Sequence, residues 1–280
     1  MSDSSLNPEI GIGATDELSL RVSVASLVRV LFKHPRGNKT MLALERRATL
    51  HETETRRAVE IKSQPFGGAL RIHDPSSLRN LIGDFHFDSE ESRAEQDFRI
   101  FIRPVDWDTV WRFCMQHLSD ADDQILESNP QRELVEEFTD TLKIHASPDQ
   151  FEYRLLGTIL ENNPSPTENV HARGCPTVRI YRIFESHILD AALTHALMKN
   201  SESCSNDDLR KLALEDAQNG GKGWTNASLT LPLYQIHAFY ETLLAEARNR
   251  PVSFHGHLLD ETVAAILDHI TVPKYKQLVS

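Results

Sequence analysis

The stretch Gln131-Arg132-Glu133-Leu134-Val135-Glu136-Glu137-Phe138 combines three glutamates with large apolar residues at helical spacing. Asn129-Pro130 precedes it. That pair is typical of a helix start, because Asn accepts hydrogen bonds from free backbone N–H groups and Pro fits the first turn. We therefore predict a helix over residues 131–142. At about 100° per residue the glutamates share one face, whereas Leu134 and Phe138 point elsewhere and can anchor the helix to a core.

The glutamate face has the chemistry of a divalent-cation site. Mg²⁺ and Mn²⁺ prefer oxygen ligands and usually bridge to substrate phosphates. Arg132 can also pair with Glu136 one turn later, which would fix the orientation of that carboxylate. Similar charge clusters occur on ordinary solvated helix faces, so an exposed face without metal is the competing interpretation.

Extended segments are predicted before and after this helix. β-branched residues dominate 18–32, and 40–46 follows after a turn that contains Pro and Gly. A third extended piece, 58–62, leads into Gly67-Gly68, where glycine permits backbone conformations that other residues avoid. Further strands are predicted at 153–160, 177–184 and 225–232. Helices are predicted at 107–118, 186–199, 206–218, 233–248 and 260–270.

Arg132, Glu133, Leu134, Glu136 and Glu137 match the signature of the Nudix family, in which Arg-Glu-aliphatic-any-Glu-Glu lies on a helix. Gly67-Gly68 after an extended segment resembles the glycines that precede that helix in the family. The order of the surrounding strands and helices is also similar over roughly residues 20–240. The resemblance implies an α/β fold, built as a Nudix-like α/β/α sandwich around a mixed sheet.

The resemblance also suggests how the chain is divided. Residues 1–17 are predicted to be a mobile tail, residues 18–240 the Nudix-like domain, and residues 241–280 a helical C-terminal extension. Gly68 and Arg132 are separated by 63 residues where the family has a short loop, so residues 74–129 are predicted to form an inserted subdomain. Gln124 stands where the family has a glutamate, and Thr139 where it has a glycine.

The activity that this resemblance implies is hydrolysis of a nucleoside diphosphate linked to another group, with Mg²⁺ or Mn²⁺ as the cofactor. The predicted catalytic residues, which are also the predicted metal ligands, are Glu133, Glu136 and Glu137. The predicted substrate-binding residues are Gly67, Gly68, Arg46 and Arg132. One more acid from a later loop is expected, and the candidates are Glu161, Glu168 and Glu185.

Two other basic or glycine-rich segments have the chemistry to contact phosphate. The arginines Arg46, Arg47, Arg56 and Arg57 flank a polar turn, and Arg binds phosphate through two parallel hydrogen bonds. A solvated hairpin rim is the plainer interpretation of these arginines. The segment 219–223 (Asn-Gly-Gly-Lys-Gly) lacks the phosphate-binding pattern of a P-loop and is interpreted as a flexible loop.

Two alternatives to a hydrolase remain open from the sequence. A Nudix-like domain that binds a nucleotide without cleaving it, as a sensor or interaction module, is favoured by Gln124. The three intact motif glutamates favour an enzyme. An unrelated scaffold would place Gly67-Gly68 far from the acidic helix, so the proximity of those two segments distinguishes the interpretations.

Composition narrows the partners and the compartment. A net charge of −11 argues against a surface for duplex nucleic acid, because such surfaces need Lys and Arg to neutralise phosphates. The three cysteines are far apart and form no pattern of disulfides, which indicates a reducing compartment. The chain starts without a leader-like segment and has no long apolar run, so we expect a cytoplasmic protein with no membrane contact. The expected partners are a nucleotide-type small molecule and, as a possibility left open, a second copy in a homodimer.

Overall fold

The computed structural model describes residues 17–53, 56–119, 123–167, 169, 171–243, 250–267 and 276–278. The predicted mobile tail, residues 1–17, lies outside these ranges except for its last residue. Within them, no helix has the length and apolar character that a membrane span requires.

The strands are β1 (Leu20–Lys33), β2 (Thr40–Thr53), β3 (Arg56–Gln64), β4 (His86–Phe87), β5 (Arg99–Ile102), β6 (Phe151–Pro166), β7 (Pro176–Ile188), β8 (Trp224–Pro232), β9 (Val252–Phe254), β10 (His257–Leu259) and β11 (Lys276–Leu278). β1 and β8 match their predicted segments to within two residues, whereas β2, β3, β6 and β7 extend beyond theirs.

Helices occupy both the middle and the later part of the chain. They are α1 (Pro75–Ile82), α2 (Glu90–Glu95), α3 (Trp107–His117), α4 (Gln131–Glu136), α5 (Ala191–Ser203), α6 (Asn206–Gln218), α7 (Leu233–Thr242) and α8 (Thr262–Ile266).

The strands form one mixed sheet, which confirms the predicted α/β class. Its main path runs β11-β6-β7-β1-β2-β3-β10-β9. β1 is parallel to β7, from Arg21 opposite Thr177 to Leu31 opposite His187, and antiparallel to β2. β8 adds to the sheet by pairing with β2, and β5 by pairing with β1.

The glycine pair lies beside the middle of β1. β1 pairs with β5 at its start and with β2 at its end. Between those pairings, the Ser26 N–H donates to the Gly68 carbonyl oxygen (2.9 Å) and the Val28 N–H donates to the Phe66 carbonyl oxygen (2.8 Å). The segment from Phe66 to Ala69 therefore occupies the gap where β2 has separated from β1.

Helices cover both faces of the sheet. Successive strand residues point to opposite faces. On one face, Val28 and Val30 share a core with Leu134 and Phe138, which lie on and just after α4. On the other face, a core formed by β1, β2 and β8 is covered by α7 and α8, and its members include Leu27, Leu31, Leu42, Ile236, Val263 and Ile266.

Residues 74–129, predicted to be an inserted subdomain, share their core with the main sheet. Leu78 of α1 and Trp107 of α3 pack in one cluster with Val22 of β1 and Val178 of β7. β5 pairs directly with β1. The apolar residues of this segment are thus buried against the central strands instead of forming a core of their own.

The C-terminal residues, predicted to be a helical extension, contain strands as well as helices. β9 and β10 form a hairpin, and Leu259 of β10 pairs with Ser63 of β3. His255 and Gly256 connect the two strands with positive φ at both residues (48° and 79°). Two consecutive positive φ values match the twist that a tight hairpin requires. β11 pairs with β6, so this part of the chain joins the sheet at two places, beside β3 and beside β6.

Candidate functional site

The acidic helix changes its geometry in the middle of the glutamate motif. The Gln131 N–H donates to Asn129 Oδ1 (3.1 Å), and α4 runs for six residues. The helix then widens to a π turn at Glu137–Thr141, where the Leu142 N–H donates to the Glu137 carbonyl oxygen (2.9 Å). Residues 131–142 are therefore helical as predicted, with a wider turn starting at Glu137. Such π turns inside helices frequently occur at functional sites.

Aromatic packing fixes the helix against the sheet. The Phe138 ring is fully buried and lies 5.0 Å from the Phe66 ring and 5.3 Å from the Phe151 ring, measured between centroids. Leu134 is also fully buried in the same cluster. Leu134 and Phe138 thus form the anchoring face that the sequence predicted.

The glycine pair and the acidic helix are in direct contact. The Gly67 N–H donates to Glu137 Oε2 (2.7 Å). A Cβ atom on Gly68 would lie 1.9 Å from Glu133 Oε2, so only glycine leaves room for that carboxylate. Segments separated by 63 residues in the sequence are thus brought together, and an arrangement with the two far apart is excluded.

Arg132 holds three carboxylates around one guanidinium. Its Nη1 donates to Glu136 Oε2 (2.7 Å), which is the predicted pair one helical turn apart. Its Nε and Nη2 donate to the two oxygens of Glu127 (2.9 and 2.7 Å), and Nη2 also lies 2.6 Å from Glu133 Oε1. Arg132 was predicted to bind substrate, but its side chain is instead used to orient acids of the site.

The acids are buried close enough together to change each other's ionisation. Burial raises the pKa of Glu133 to about 7, with Arg132 opposing the shift and Glu127 adding to it. Burial also raises the pKa of Glu137 well above its usual range, and the charge of Glu45 adds to that shift. A positive charge between these carboxylates would stabilise their ionised forms.

Three acids outside the motif were not assigned to the site from the sequence. Glu45 of β2 is fully buried and accepts from Arg47 Nη2 (3.0 Å) and Gln64 Nε2 (2.7 Å). Glu127, rather than Gln124, takes the position against Arg132. Burial raises the pKa of Asp97 to about 6, with Arg99 and Arg132 opposing, and the charge of Asp97 in turn raises the pKa of Glu133.

A signal for one of these acids was present in the sequence. Met41, Ala43 and Glu45 alternate along β2, so Glu45 falls on the same face as two buried apolar residues. Carboxylates are almost never fully buried unless they have partners, which makes an acid on an apolar strand face informative.

Arg46 does not lie with the acidic helix, contrary to its predicted role in substrate binding. It is 3% exposed, and its guanidinium donates to Asn206 Oδ1 (3.1 Å) and to the Cys204 carbonyl oxygen at the junction of α5 and α6. Strand alternation explains this placement, because Glu45 and Arg47 point to one face of β2 and Arg46 to the other. Arg47 is the arginine on the acidic side.

The later acids proposed from the sequence have other partners. Glu161 pairs with Arg179 (2.9 Å). Glu185 pairs with Arg154 (2.8 Å) and with the buried Arg29. Glu168 lies outside the described residues.

Comparison with known families agrees with this geometry. A family model for the SMODS-associated NUDIX domain matches residues 19–219, more than half of the chain. The chain belongs to this family. The match runs through residues 74–129, so the segment between the glycine pair and the acidic helix lies inside the SMODS-associated NUDIX domain. Comparisons with curated proteins and with solved structures give no match.

Membership in a NUDIX family supports hydrolase activity of the Nudix type, and such hydrolases generally use divalent metal ions such as Mg²⁺. The donor atoms in this SMODS-associated NUDIX domain fit that chemistry, because Glu133, Glu136 and Glu137 supply only hard oxygen ligands. Burial, and then the charge of neighbouring carboxylates, raises the pKa of Glu133 and Glu137, and a cation would offset both effects. Among the described residues, no three acidic, histidine or cysteine side chains converge as a ready set of metal ligands. Arg132 holds Glu133 and Glu136 in this arrangement.

Proposed function

We propose that the protein hydrolyses a nucleoside diphosphate linked to another group, with Mg²⁺ or Mn²⁺ as its cofactor. The observation that carries this proposal is the contact between the glycine pair and the acidic helix. Gly67 donates to Glu137, and Gly68 leaves the space that the Glu133 carboxylate fills. This contact joins the two parts of the motif that the Nudix resemblance requires.

Glu133, Glu136 and Glu137 are the residues that would hold the metal. A divalent ion bound there would offset the charge of the diphosphate and polarise the bond that is broken. The carboxylates reach this position because Phe138 and Leu134 fix the helix from behind. The backbone at the site therefore needs little movement to bind the ion. Glu133 and Glu136, which contact Arg132, would have to contact the ion as well.

Arg132 acts as a positioning residue in this proposal. It contacts Glu127, Glu133 and Glu136 together, so it limits the directions that these side chains adopt. Burial disfavours the charged form of Arg132, but the hydrogen bond to Glu127 and the surrounding carboxylates outweigh burial and raise its pKa. Arg132 thus remains a cation while the acids around it change protonation.

Glu133 is the general base of the proposed reaction. Without metal its pKa is raised to about 7, and a bound cation would lower that pKa and keep the carboxylate ionised, which is the form that accepts a proton. In the proposed reaction its Oε2, which faces Gly68, takes a proton from the attacking water. The Gly67 N–H, which donates to Glu137 Oε2, keeps the neighbouring carboxylate in a fixed orientation.

The test is release of mononucleotide or phosphate from dinucleotides, nucleotide sugars and nucleoside triphosphates, with Mg²⁺ or Mn²⁺ present. Glu136→Gln and Glu137→Gln should each lower turnover at least about a hundredfold, because an amide is a poor metal ligand. Glu137→Gln should still fold, since the raised pKa of Glu137 makes an uncharged side chain acceptable there. Glu202→Gln, on the exposed part of α5, is the matched control and should keep full turnover.

Each outcome separates the interpretations. Turnover that both site variants lose and the control keeps would place the chemistry on the acidic helix. Nucleotide binding by calorimetry without any turnover would overturn the proposal in favour of a sensor. Turnover that survives in both site variants would show that these glutamates are not the metal ligands.

A further inference from the structure

Trp224 is an exposed aromatic ring at the edge of the acidic site. It is the first residue of β8, pairs with Thr49 of β2, and is 38% exposed. Trp107, in contrast, is buried in the core beside β1. A single exposed aromatic side chain is ordinary on a protein surface, but its ring offers an accessible π face for stacking. What its neighbours contribute decides whether that face can serve a ligand.

Two cations lie over this ring. The Arg47 guanidinium carbon is 5.2 Å from the centre of the Trp224 ring system, and Lys222 Nζ is 5.7 Å from it. About a third of the Arg47 side chain and about two thirds of the Lys222 side chain are exposed. In a chain with a net charge of −11, the ring and these two cations form a local patch, in which Arg47 is paired with Glu45 and Lys222 with Glu91.

Arg47 connects the ring to the buried acids. Its Nη2 donates to Glu45 Oε1 (3.0 Å). Gln64 Nε2 donates to the other oxygen of Glu45 (2.7 Å), and Gln64 lies three residues before Gly67, whose N–H donates to Glu137. Arg47 thus shares Glu45 with the strand that leads into the glycine pair, while the same guanidinium lies over Trp224.

The loop that carries Lys222 is held in place on the same side of the molecule. The Leu50 N–H donates to the Gly223 carbonyl oxygen (2.8 Å), and the Gly223 N–H donates to Asp216 Oδ2 (2.8 Å). Lys222 reaches across to Glu91 of α2 (3.4 Å). The loop before β8 thus contacts helix α2. The last residue of α2, Glu95, accepts from Arg71 Nη2 (2.9 Å), and the Arg71 N–H donates to Glu127 of the site (3.1 Å).

We propose that Trp224 stacks the base of the nucleotide, while Arg47 and Lys222 contact its phosphates. This inference rests on the proposed function and adds the part of the site that recognises the substrate. A diphosphate that reaches the acidic helix needs positive charge, and Arg47 is placed between that helix and the ring. Stacking tolerates any base, because every base has a π face. The patch therefore selects nucleotides over inorganic pyrophosphate, and discriminates little between bases.

The experiment measures binding by calorimetry, with the metal chelated, of ADP, GDP, CDP, UDP and inorganic pyrophosphate. Trp224→Ala should weaken binding of the nucleoside diphosphates by roughly tenfold to a hundredfold, the loss expected for one stacked base. Binding of pyrophosphate should stay within about twofold, because that probe has no base. Trp224→Phe should recover most of the affinity, whereas Trp224→Leu, which is apolar but not aromatic, should not.

The control is Trp111→Phe, since Trp111 is half-buried against the core that contains α3. This variant should bind all five probes as the wild type does. Unchanged nucleotide affinity in Trp224→Ala, or an equal loss for pyrophosphate, would overturn the inference. So would failure of the wild type to bind any of the four nucleoside diphosphates.

The same measurement separates this inference from the proposed function. Hydrolysis that does not depend on Trp224, together with unchanged affinity, would leave the proposed function standing and remove the stacking role. Binding that depends on Trp224, without any hydrolysis, would leave the stacking role standing and remove the proposed function. Arg47→Lys and Lys222→Gln should each weaken pyrophosphate and nucleotide alike, because these residues are assigned to the phosphates.

Discussion

Gly67 and Gly68 are neighbours, but a side chain at each would meet a different obstacle. Gly67 has φ of 126°, and its Cβ would lie 2.2 Å from the Ser26 carbonyl oxygen. That oxygen is backbone within β1 and has no freedom to move aside. Gly68 would meet only the end of the Glu133 side chain, which is able to rotate.

Gly67→Ala should therefore destabilise the fold, and Gly68→Ala should damage the site. For Gly67→Ala we expect a loss of at least about 2 kcal/mol in the free energy of unfolding, from strained φ and the clash with β1. For Gly68→Ala we expect a smaller loss of stability but a roughly hundredfold loss of turnover, because Glu133 is displaced. Urea unfolding and turnover of both variants check the contrast, and equal effects of the two would contradict it.

The pKa of Glu133 predicts how stability depends on pH without metal. Burial raises this pKa from its ordinary value of 4.5 to about 7, so the folded protein binds this proton more tightly than the unfolded chain does. The resulting contribution is complete below about pH 4.5 and is lost as the pH rises towards 7. Glu133→Gln removes it. The variant should thus gain on the order of 3 kcal/mol relative to wild type between pH 4 and pH 8.

Urea unfolding at several pH values in the presence of a chelator measures this difference. Glu202→Gln, at an exposed position, should show no such trend. A constant difference between Glu133→Gln and wild type would show that folding does not change the pKa of Glu133.

Single residues also show which contacts of the site could not be predicted from the sequence. Arginine at 46 and 47 has the same chemistry, and only the strand register decides which one faces the acids. The sequence predicted that this segment is a strand, but not which residues the side chain at each position contacts. Glu127 and Asp97 reach the site through residues 71–72: Arg71 lies opposite Asp97 and donates its N–H to Glu127, and Ile72 lies opposite Leu126. A local sequence pattern does not contain these pairings.

At the level of elements, the acidic helix depends on a small aromatic cluster. Phe138 packs on Phe66 and Phe151, which come from the glycine segment and from β6. Phe138→Ala should lower the free energy of unfolding by about 3–5 kcal/mol, because it opens a cavity where three elements meet. Denaturant unfolding checks this value. Phe87→Ala, at a half-buried ring, should cost clearly less, and a similar cost for both would contradict the assigned role of the cluster.

Elements with a strong period were predicted best. The helix at 206–218 corresponds to α6, and β7 contains the predicted strand 177–184. Residues 186–199 were predicted to be one helix, but β7 continues to Ile188 and α5 starts at Ala191, after Asp190 caps it through the Leu193 N–H. The sequence Ser-His-Ile at 186–188 fits either structure locally, and pairing with β1 and β6 decides between them.

The predicted helices near the C-terminus were shorter in the structure. α7 ends at Thr242, and residues 244–248 of the predicted helix 233–248 lie outside the described ranges. α8 covers Thr262–Ile266 of the predicted 260–270, and residues 268–270 are likewise outside them. The hairpin of β9 and β10 has strands of three residues each, too short for a periodic pattern to be seen.

On the scale of the whole molecule, the cooperative unit extends beyond the family match. The match ends at residue 219, whereas β8 contributes nine paired residues to β2 and α7 and α8 cover one face of the sheet. A fragment of residues 19–219 leaves that face exposed. We expect the fragment to show no cooperative urea transition by circular dichroism, while residues 17–280 unfold in a single transition. A cooperative transition in the fragment would show that the cooperatively folding unit ends where the family match ends, at residue 219.

The parallel pairing of β1 and β7 also sets an order of events during synthesis. β1 leaves the ribosome well before the strand that it pairs with along most of its length, which follows about 150 positions later. Until then an almost wholly buried strand has no partner on that edge. At typical elongation rates this interval lasts on the order of ten seconds, long enough for a chaperone to bind the nascent chain. Production of the protein should accordingly depend more on nascent-chain chaperones than the stability of the finished fold would suggest.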